Sequence, residues 1–117
     1  MNRKKFEELV AAAIDELPEE FQKRLENVDI TVESRPSKDV LAESGIEPGG
    51  TLLGLYRGVP LKHRGTGYGA VLPDIITIYQ EPIESICQGQ PEVKKKIKDV
   101  LQHEIGHHFG MSEEELP

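Results

Sequence analysis

Three residues near the C-terminal end of the chain have the types and spacing of a metal-binding helix. His103 and His107 are four positions apart, and Glu104 directly follows the first of them. Residues four apart in an α-helix share one face, about one turn apart, so the two imidazoles can bind one ion. Zinc accepts neutral imidazole nitrogen, and its catalytic sites keep one position open for water. The spacing therefore predicts zinc bound by His103 and His107, with Glu104 as the general base beside that water.

Such a short motif can occur by chance, so its surroundings matter. An accidental match is expected about once in a few hundred chains of this size. Here the motif lies on a helix that is predicted independently, and Gly110 follows where that helix can end. This context favours a real zinc site over an accidental pair of surface histidines.

A third protein ligand would have to follow the end of the helix. In the extended pattern His-Glu-x-x-His-x-x-Gly-x-x, the chain turns at the glycine and brings the next ligand back to the ion. Glu113 occupies that position, and Glu114 is the alternative. The same residues after Ser112 also resemble a capping box that opens another helical turn. We predict Glu113 as the third ligand and keep helix capping as its alternative role.

Helical periodicity separates the buried side of this helix from the side that carries the motif. His103 and His107 fall at the border of the apolar stripe, as expected for a site with the domain on one side and solvent on the other. His108 falls in the middle of the stripe, so we expect it to be buried or to support a ligand. The stripe consists of Val93, Ile97, Val100, Leu101 and Ile105.

Hydrophobic spacing also predicts the elements that precede the motif helix. Apolar residues at helical spacing predict an amphipathic helix over 3–17 and a second helix over 18–27. Alternating apolar and polar residues predict a strand over 28–33. Residues 37–50 are rich in turn-forming types, so we expect a loop with one helical turn near Val40.

The second half of the chain reads as two strands followed by two helices. Apolar and aromatic bulk predicts strands over 51–57 and 75–79, joined by a long connection over 58–74. A short helix is expected over 83–88. The motif helix is expected over 91–109, with a proline at its first position and a glycine after its end.

Composition limits the class of protein. A chain of 117 residues fits a single domain over 1–117. The net charge of -7, with no basic stripe, argues against a nucleic-acid partner. The one cysteine, Cys87, cannot form an intramolecular disulfide, and no apolar stretch resembles a signal peptide or a membrane span. We therefore expect a cytoplasmic protein without a membrane partner, and the sequence leaves its oligomeric state open.

Three segments of the chain carry a resemblance to a known family. One is the motif from His103 through Glu113, and two lie upstream of it. They are residues 54–61, Gly-Leu-Tyr-Arg-Gly-Val-Pro-Leu, and residues 72–79. Together these segments resemble a family of minimal bacterial zincin-like metallopeptidases. Its members usually have Asp at the third-ligand position, where this chain has the longer Glu113.

This resemblance implies both a fold and a mode of substrate binding. The fold is α+β, with a small mixed sheet packed against an N-terminal helix and a C-terminal zinc-binding helix. An edge strand of the sheet would pair with an extended peptide substrate, and residues 75–80 are the expected edge.

The sequence therefore predicts zinc-dependent hydrolysis of peptide bonds in a peptide or protein substrate. Zinc would lower the pKa of its water toward about 7, and Glu104 would accept a proton as the water attacks. The alternative is a non-enzymatic zinc-binding or partner-binding domain, in which the metal stabilises a small fold. A metal-dependent nuclease is a third possibility that the acidic balance opposes. Residues that could stabilise an oxyanion are Tyr79, Tyr68, His63 and Arg64.

Overall fold

The computed structural model describes residues 1–47, 49–58 and 73–108, and these residues combine helices with a small sheet. The α+β prediction is confirmed. The helices are α1 (Arg3–Asp15), α2 (Glu19–Arg24), α3 (Lys38–Glu43), α4 (Gln80–Ser85) and α5 (Gly89–His108). The strands are β1 (Val28–Glu33), β2 (Gly54–Arg57) and β3 (Asp74–Tyr79).

The three strands form one mixed sheet in the order β1-β3-β2. Strand β3 pairs in parallel with β1 on one side and antiparallel with β2 on the other. Its residues from Ile76 to Tyr79 are all buried. The expectation that residues 75–80 form an edge is therefore wrong, because within the described residues the edges are β1 and β2. A largely apolar strand is typical of one covered on both faces, and β3 has this pattern, broken only by Thr77, which is itself buried.

One face of the sheet and four of the helices enclose the core. Ile76 and Ile78 of β3 lie in it, and every residue of the predicted stripe on the motif helix is buried. Apolar side chains buried against water supply the main stabilising free energy of such a core. The helices contribute Phe6, Val10 and Ala13 from α1, Phe21 from α2, Ile83 from α4, and Val93, Ile97, Val100, Leu101 and Ile105 from α5.

Several elements depart from their predicted bounds, and local capping accounts for α3. The segment expected to be mostly loop contains α3, because Ser37 Oγ accepts the Val40 N–H at 3.1 Å and Asp39 lies in the first turn. Helix α4 begins at Gln80, directly after β3 and three residues earlier than predicted. Strand β2 is shorter than expected and begins at Gly54.

Helices α1 and α5 are also joined at the protein surface. Glu16 follows α1 and accepts hydrogen bonds from Lys94 Nζ at 2.6 Å and Lys98 Nζ at 3.3 Å. These bonds, led by the one from Lys94, hold the pKa of Glu16 below its usual value of 4.5. Lys94 and Lys98 of α5 therefore serve a helix–helix contact.

Candidate metal centre

The motif occupies the last two turns of the 20-residue helix α5. The helix begins at Gly89, whose φ of 82° lies in the left-handed region that glycine adopts without steric cost. Its described part ends at His108, and the predicted last residue, Phe109, lies outside the described residues. The helix is thus two residues longer at its start than the sequence predicted.

His103 and His107 lie side by side on the exposed side of α5. Their ring centres are 5.9 Å apart and the rings are nearly perpendicular, at 84°. Two imidazoles bound through nitrogen at about 2.0–2.1 Å around a tetrahedral ion would place their ring centres about 5 Å apart. The rings are therefore within about 1 Å of the separation that shared coordination requires, which small χ rotations can supply.

The tautomer of His103 also suits coordination. Its Nδ1 lies 3.0 Å from the backbone carbonyl oxygen of Asp99, one turn earlier in α5. A carbonyl oxygen only accepts hydrogen bonds, so Nδ1 carries the hydrogen in this contact. In the neutral ring, Nε2 then holds the lone pair that a metal needs, and the backbone contact fixes the ring orientation.

The predicted third ligand is not tested by the residues that the structure describes. Glu113 and Glu114 both lie outside the described residues, so their roles stay predictions. Within residues 1–47, 49–58 and 73–108, no three His, Cys, Asp or Glu side chains converge on one point that could hold a metal. The described part of the centre is thus a pair of histidines. This fits an ion whose further ligands are water or residues outside the described part of the chain.

Glu104 lies beside this pair and is anchored to strand β2. Its Oε1 accepts the backbone N–H of Tyr56 at 3.0 Å. Burial raises the pKa of Glu104, while the Tyr56 N–H and the neighbouring His107 and His103 offset part of the rise. Glu104 is half-buried, so one carboxylate oxygen is fixed by the protein in a site that solvent can still enter.

The Tyr56 N–H is available to Glu104 because of the strand register. The Leu53 carbonyl accepts the Tyr79 N–H at 3.0 Å, so alternate residues of β2 from Leu53 onward pair with β3. Gly54 and Tyr56 then turn their N–H groups away from β3, toward the open edge of the sheet. Glu104 therefore binds the edge of β2 rather than interrupting the sheet.

The helical projection predicted that His108 points into the core, and in the structure it does not. Its side chain is 37% exposed, and its ring stacks on Tyr56 with centres 3.8 Å apart and planes at 14°. The Tyr56 hydroxyl donates to Asp74 Oδ2 at 2.9 Å, and His108 Nε2 lies 3.7 Å from the same oxygen. Burial of His108 is therefore a wrong prediction, because β2 runs alongside the end of α5 and receives the side chain that the projection assigned to the core. Its alternative role in supporting a ligand stays a prediction.

A cleft of about 470 Å³ opens beside the motif, between the start of β2 and the middle of α5. Apolar side chains form part of its wall, and His103 and Glu104 also line it. A ligand in this cleft would therefore lie next to the candidate general base. The lining residues are Thr51, Leu52, Leu53, Gly54, Lys96, Asp99, Val100, His103 and Glu104.

The residues suggested as oxyanion stabilisers gain no support from the described structure. Tyr79 is only 1% exposed, so it cannot reach a substrate in the cleft without rearrangement. Tyr68, His63 and Arg64 lie outside the described residues. Sequence reasoning instead missed Tyr56 and Asp74 as partners of the motif helix, although both lie in the segments that carry the family resemblance.

A small α+β domain with His103, Glu104 and His107 on one helix has the features of a zincin-like protein. The family model of zincin-like metallopeptidases matches residues 25–117, and the chain belongs to this family. The fold is similar to that of a conserved hypothetical protein from Thermus thermophilus, with a TM-score of 0.58. That likeness has 23% sequence identity and covers 93% of this chain and 94% of the other, and it shows the fold alone. No curated protein matches the chain.

The family implies zinc binding in general terms, consistent with the histidine pair. None of the helices in the described residues has the length and apolar character needed to cross a membrane.

Proposed function

We propose that this chain is a zinc-dependent peptidase in which Glu104 is the general base. His103 and His107 would hold the ion, with Glu113 as the third ligand and Glu114 as the alternative. Membership of the zincin-like metallopeptidase family supports a peptidase in general terms. The position of Glu104 supports the enzymatic form of this proposal.

The observation that carries the proposal is that Glu104 and His103 line the same cleft. A metal site that only stabilises a fold needs no carboxylate that lies beside its ligands and faces a cleft. When bound at such a site, zinc polarises a water molecule and a carbonyl oxygen. A carboxylate within reach can accept a proton from that water, which is the role we assign to Glu104.

The chain's own residues would orient this base. The Tyr56 N–H holds Oε1 of Glu104, and we assign proton acceptance to the second oxygen, Oε2. A base with one oxygen fixed loses less conformational freedom when it meets its substrate. The His103 contact to Asp99 similarly holds one imidazole in place before any ion binds.

We propose peptides or proteins as substrates, bound in the cleft along residues 51–54. Leu52, Leu53 and Val100 give the cleft an apolar wall, which suits an apolar substrate side chain. An extended segment could also contact the edge of β2 at Gly54, since β2 is an edge strand within the described residues and the Tyr56 N–H on that edge is held by Glu104.

The test combines metal content with cleavage of a mixed peptide library. We expect the purified protein to hold one zinc and Glu104→Gln to keep it, while cleavage falls about 10²- to 10⁴-fold. Glu8→Gln, at an exposed position on α1, is the matched control and should behave as wild type. Zinc content is measured by elemental mass spectrometry and cleavage by peptide mass spectrometry.

Two outcomes would contradict the proposal in different ways. Wild-type protein that carries zinc and cleaves nothing would favour the non-enzymatic zinc-binding domain. Wild-type protein that binds no zinc would remove the metal site itself. Equal cleavage by wild type and Glu104→Gln would show that another group is the base.

A further inference from the structure

We propose that Tyr56 is a positioning residue that aligns β2 with α5 and so holds both Glu104 and the helical turn that carries His107. The inference rests on the proposed function, because it concerns the geometry of the same zinc site. It adds a residue on a different element, 47 positions before His103 in the chain.

Strand β2 and helix α5 run side by side in matched register. Gly54 lies against Val100, the Tyr56 N–H meets Glu104, and Gly58 lies against His108. Two residues of strand advance about 6.6–6.8 Å, and four residues of helix advance about 6.0 Å. Because these repeats nearly match, each second residue of the strand meets each fourth residue of the helix over three successive contacts.

The close approach depends on the absence of a side chain at Gly54, while the Gly58 end of this register has room for a Cβ. A Cβ on Gly54 would lie 2.6 Å from Val100 Cγ1, which no packed structure tolerates without movement. A Cβ on Gly58 would lie 3.4 Å from His108 Cε1, at ordinary contact distance. Of the strand positions 54, 56 and 58, only Tyr56 has a side chain, and it makes the specific contacts with α5.

Tyr56 contacts the helix through two different groups. Its backbone N–H holds Glu104, and its ring stacks on His108, one helical turn further along. The hydroxyl donates to Asp74 at the start of β3, which anchors the hydroxyl end of the ring. A single residue thus links the central strand, the edge strand and the motif helix.

The end of α5 needs such support because His107 lies in its last described turn. The final carbonyl groups of a helix lack partners within the helix, and terminal turns fray. If that turn opened, His107 would move away from His103 and the two rings would no longer converge. Stacking of the next residue, His108, on an anchored Tyr56 keeps the turn helical.

The test measures zinc affinity and fold stability separately. Tyr56→Phe removes only the hydroxyl bond to Asp74, and Tyr56→Leu also removes the ring under His108, while both keep the backbone N–H. We expect the zinc dissociation constant, from competition with a chromophoric chelator, to rise severalfold in Tyr56→Phe and about tenfold or more in Tyr56→Leu. The absorption spectrum of the Co²⁺-loaded protein should also change in Tyr56→Leu.

Tyr79→Phe provides a matched control, because it removes a hydroxyl from a buried tyrosine of the central strand. The Tyr79 hydroxyl has no hydrogen-bond partner within the described residues, so its loss should leave zinc affinity unchanged. The melting temperature of each metal-free variant reports the purely structural effect.

The outcomes separate this inference from the proposed function. If the Tyr56 variants melt earlier but bind zinc as tightly as wild type, Tyr56 only stabilises the fold and the inference is wrong. If wild type itself binds no zinc, the proposed function and the inference fail together. If Tyr56→Leu does not fold, Tyr56→Phe decides alone, and an unchanged dissociation constant there overturns the inference.

Discussion

Gly54 and Val100 approach each other more closely than any larger residue at position 54 would allow. A Cβ at Gly54 would lie 2.6 Å from Val100 Cγ1 and 3.2 Å from the carbonyl oxygen of Thr77. The first atom belongs to a stiff β-branched side chain and the second to the backbone of the central strand. Strand β2 can therefore lie against α5 only because residue 54 is glycine.

Gly54→Ala is expected to destabilise the protein by about 1–3 kcal/mol, the usual cost of overpacking a filled site. Urea unfolding measures this change in the free energy of unfolding. Gly58→Ala is the control and should cost less, since its added Cβ meets His108 only at 3.4 Å. Adding Val100→Ala to Gly54→Ala should recover part of the loss, with a coupling energy of about 1 kcal/mol. Strict additivity of the two changes would show that the close contact is not the cause.

The contact between Tyr56 and Glu104 should be visible in amide hydrogen exchange. The Tyr56 N–H faces away from β3 and donates to Glu104 Oε1, a hydrogen bond to a carboxylate. Such bonds contribute about 1.5–3 kcal/mol, so Glu104→Ala should make this amide exchange about 10- to 100-fold faster. Glu104→Gln keeps an oxygen acceptor and should show a smaller change.

Exchange measured by NMR also offers an internal control for that prediction. The Leu55 amide lies at a position paired with β3 and should keep its protection in both variants. Equal acceleration at Leu55 and Tyr56 would indicate general loosening of the strand and would contradict a specific role for Glu104.

The Glu16 contact with α5 predicts a pH-dependent stability. Its pKa is lowered in the folded state by hydrogen bonds from Lys94 and Lys98. A lowered carboxyl pKa contributes stability above the unfolded value of 4.5, and this contribution is lost as pH falls through the folded pKa. Glu16→Gln should therefore melt earlier than wild type at pH 7, and the difference should disappear as the pH falls well below 4.5.

Salt dependence supplies a second check on the contact of Glu16 with Lys94 and Lys98. Because Glu16 is on the surface, added salt should reduce the melting difference at pH 7 by screening the charges. A difference that stays constant across both pH and salt would contradict an electrostatic origin.

Zinc binding should stabilise the folded protein by mass action. Free zinc at 100 times its dissociation constant adds about 2.7 kcal/mol to the free energy of unfolding, which raises the melting temperature by several degrees. A chelator should reverse the shift. His103→Ala and His107→Ala should abolish it, while Glu8→Gln should retain it. A zinc-induced shift that survives loss of both histidines would place the metal elsewhere.

The buried stripe of α5 and the elements that position it were largely predictable from the sequence. Helical spacing identified Val93, Ile97 and Leu101 as core residues, and they are buried. Period-2 alternation identified β1, and the family resemblance supplied the mixed sheet, which the structure confirms. These features follow from local periodicity, which is a property of consecutive residues.

Strand order was not predictable in the same way. Residues 75–79 were recognised as a strand, yet their place at the centre of the sheet depends on which other strands pair with them. The largely apolar composition of residues 75–79 was the available clue, and it favoured a central strand over an edge. Pairing is a relationship between distant segments, so the pattern within one segment cannot determine it.

The sequence alone determined that His103 and His107 share one face of a helix with Glu104 beside them, since helical geometry fixes neighbours four residues apart. Only the tertiary structure decided what faces that helix. Packing brought Tyr56 of β2 against Glu104 and His108, and brought Asp74 of β3 against Tyr56. These contacts join residues 18 to 52 positions apart, and they depend on how closely the glycine at position 54 lets a strand approach a helix.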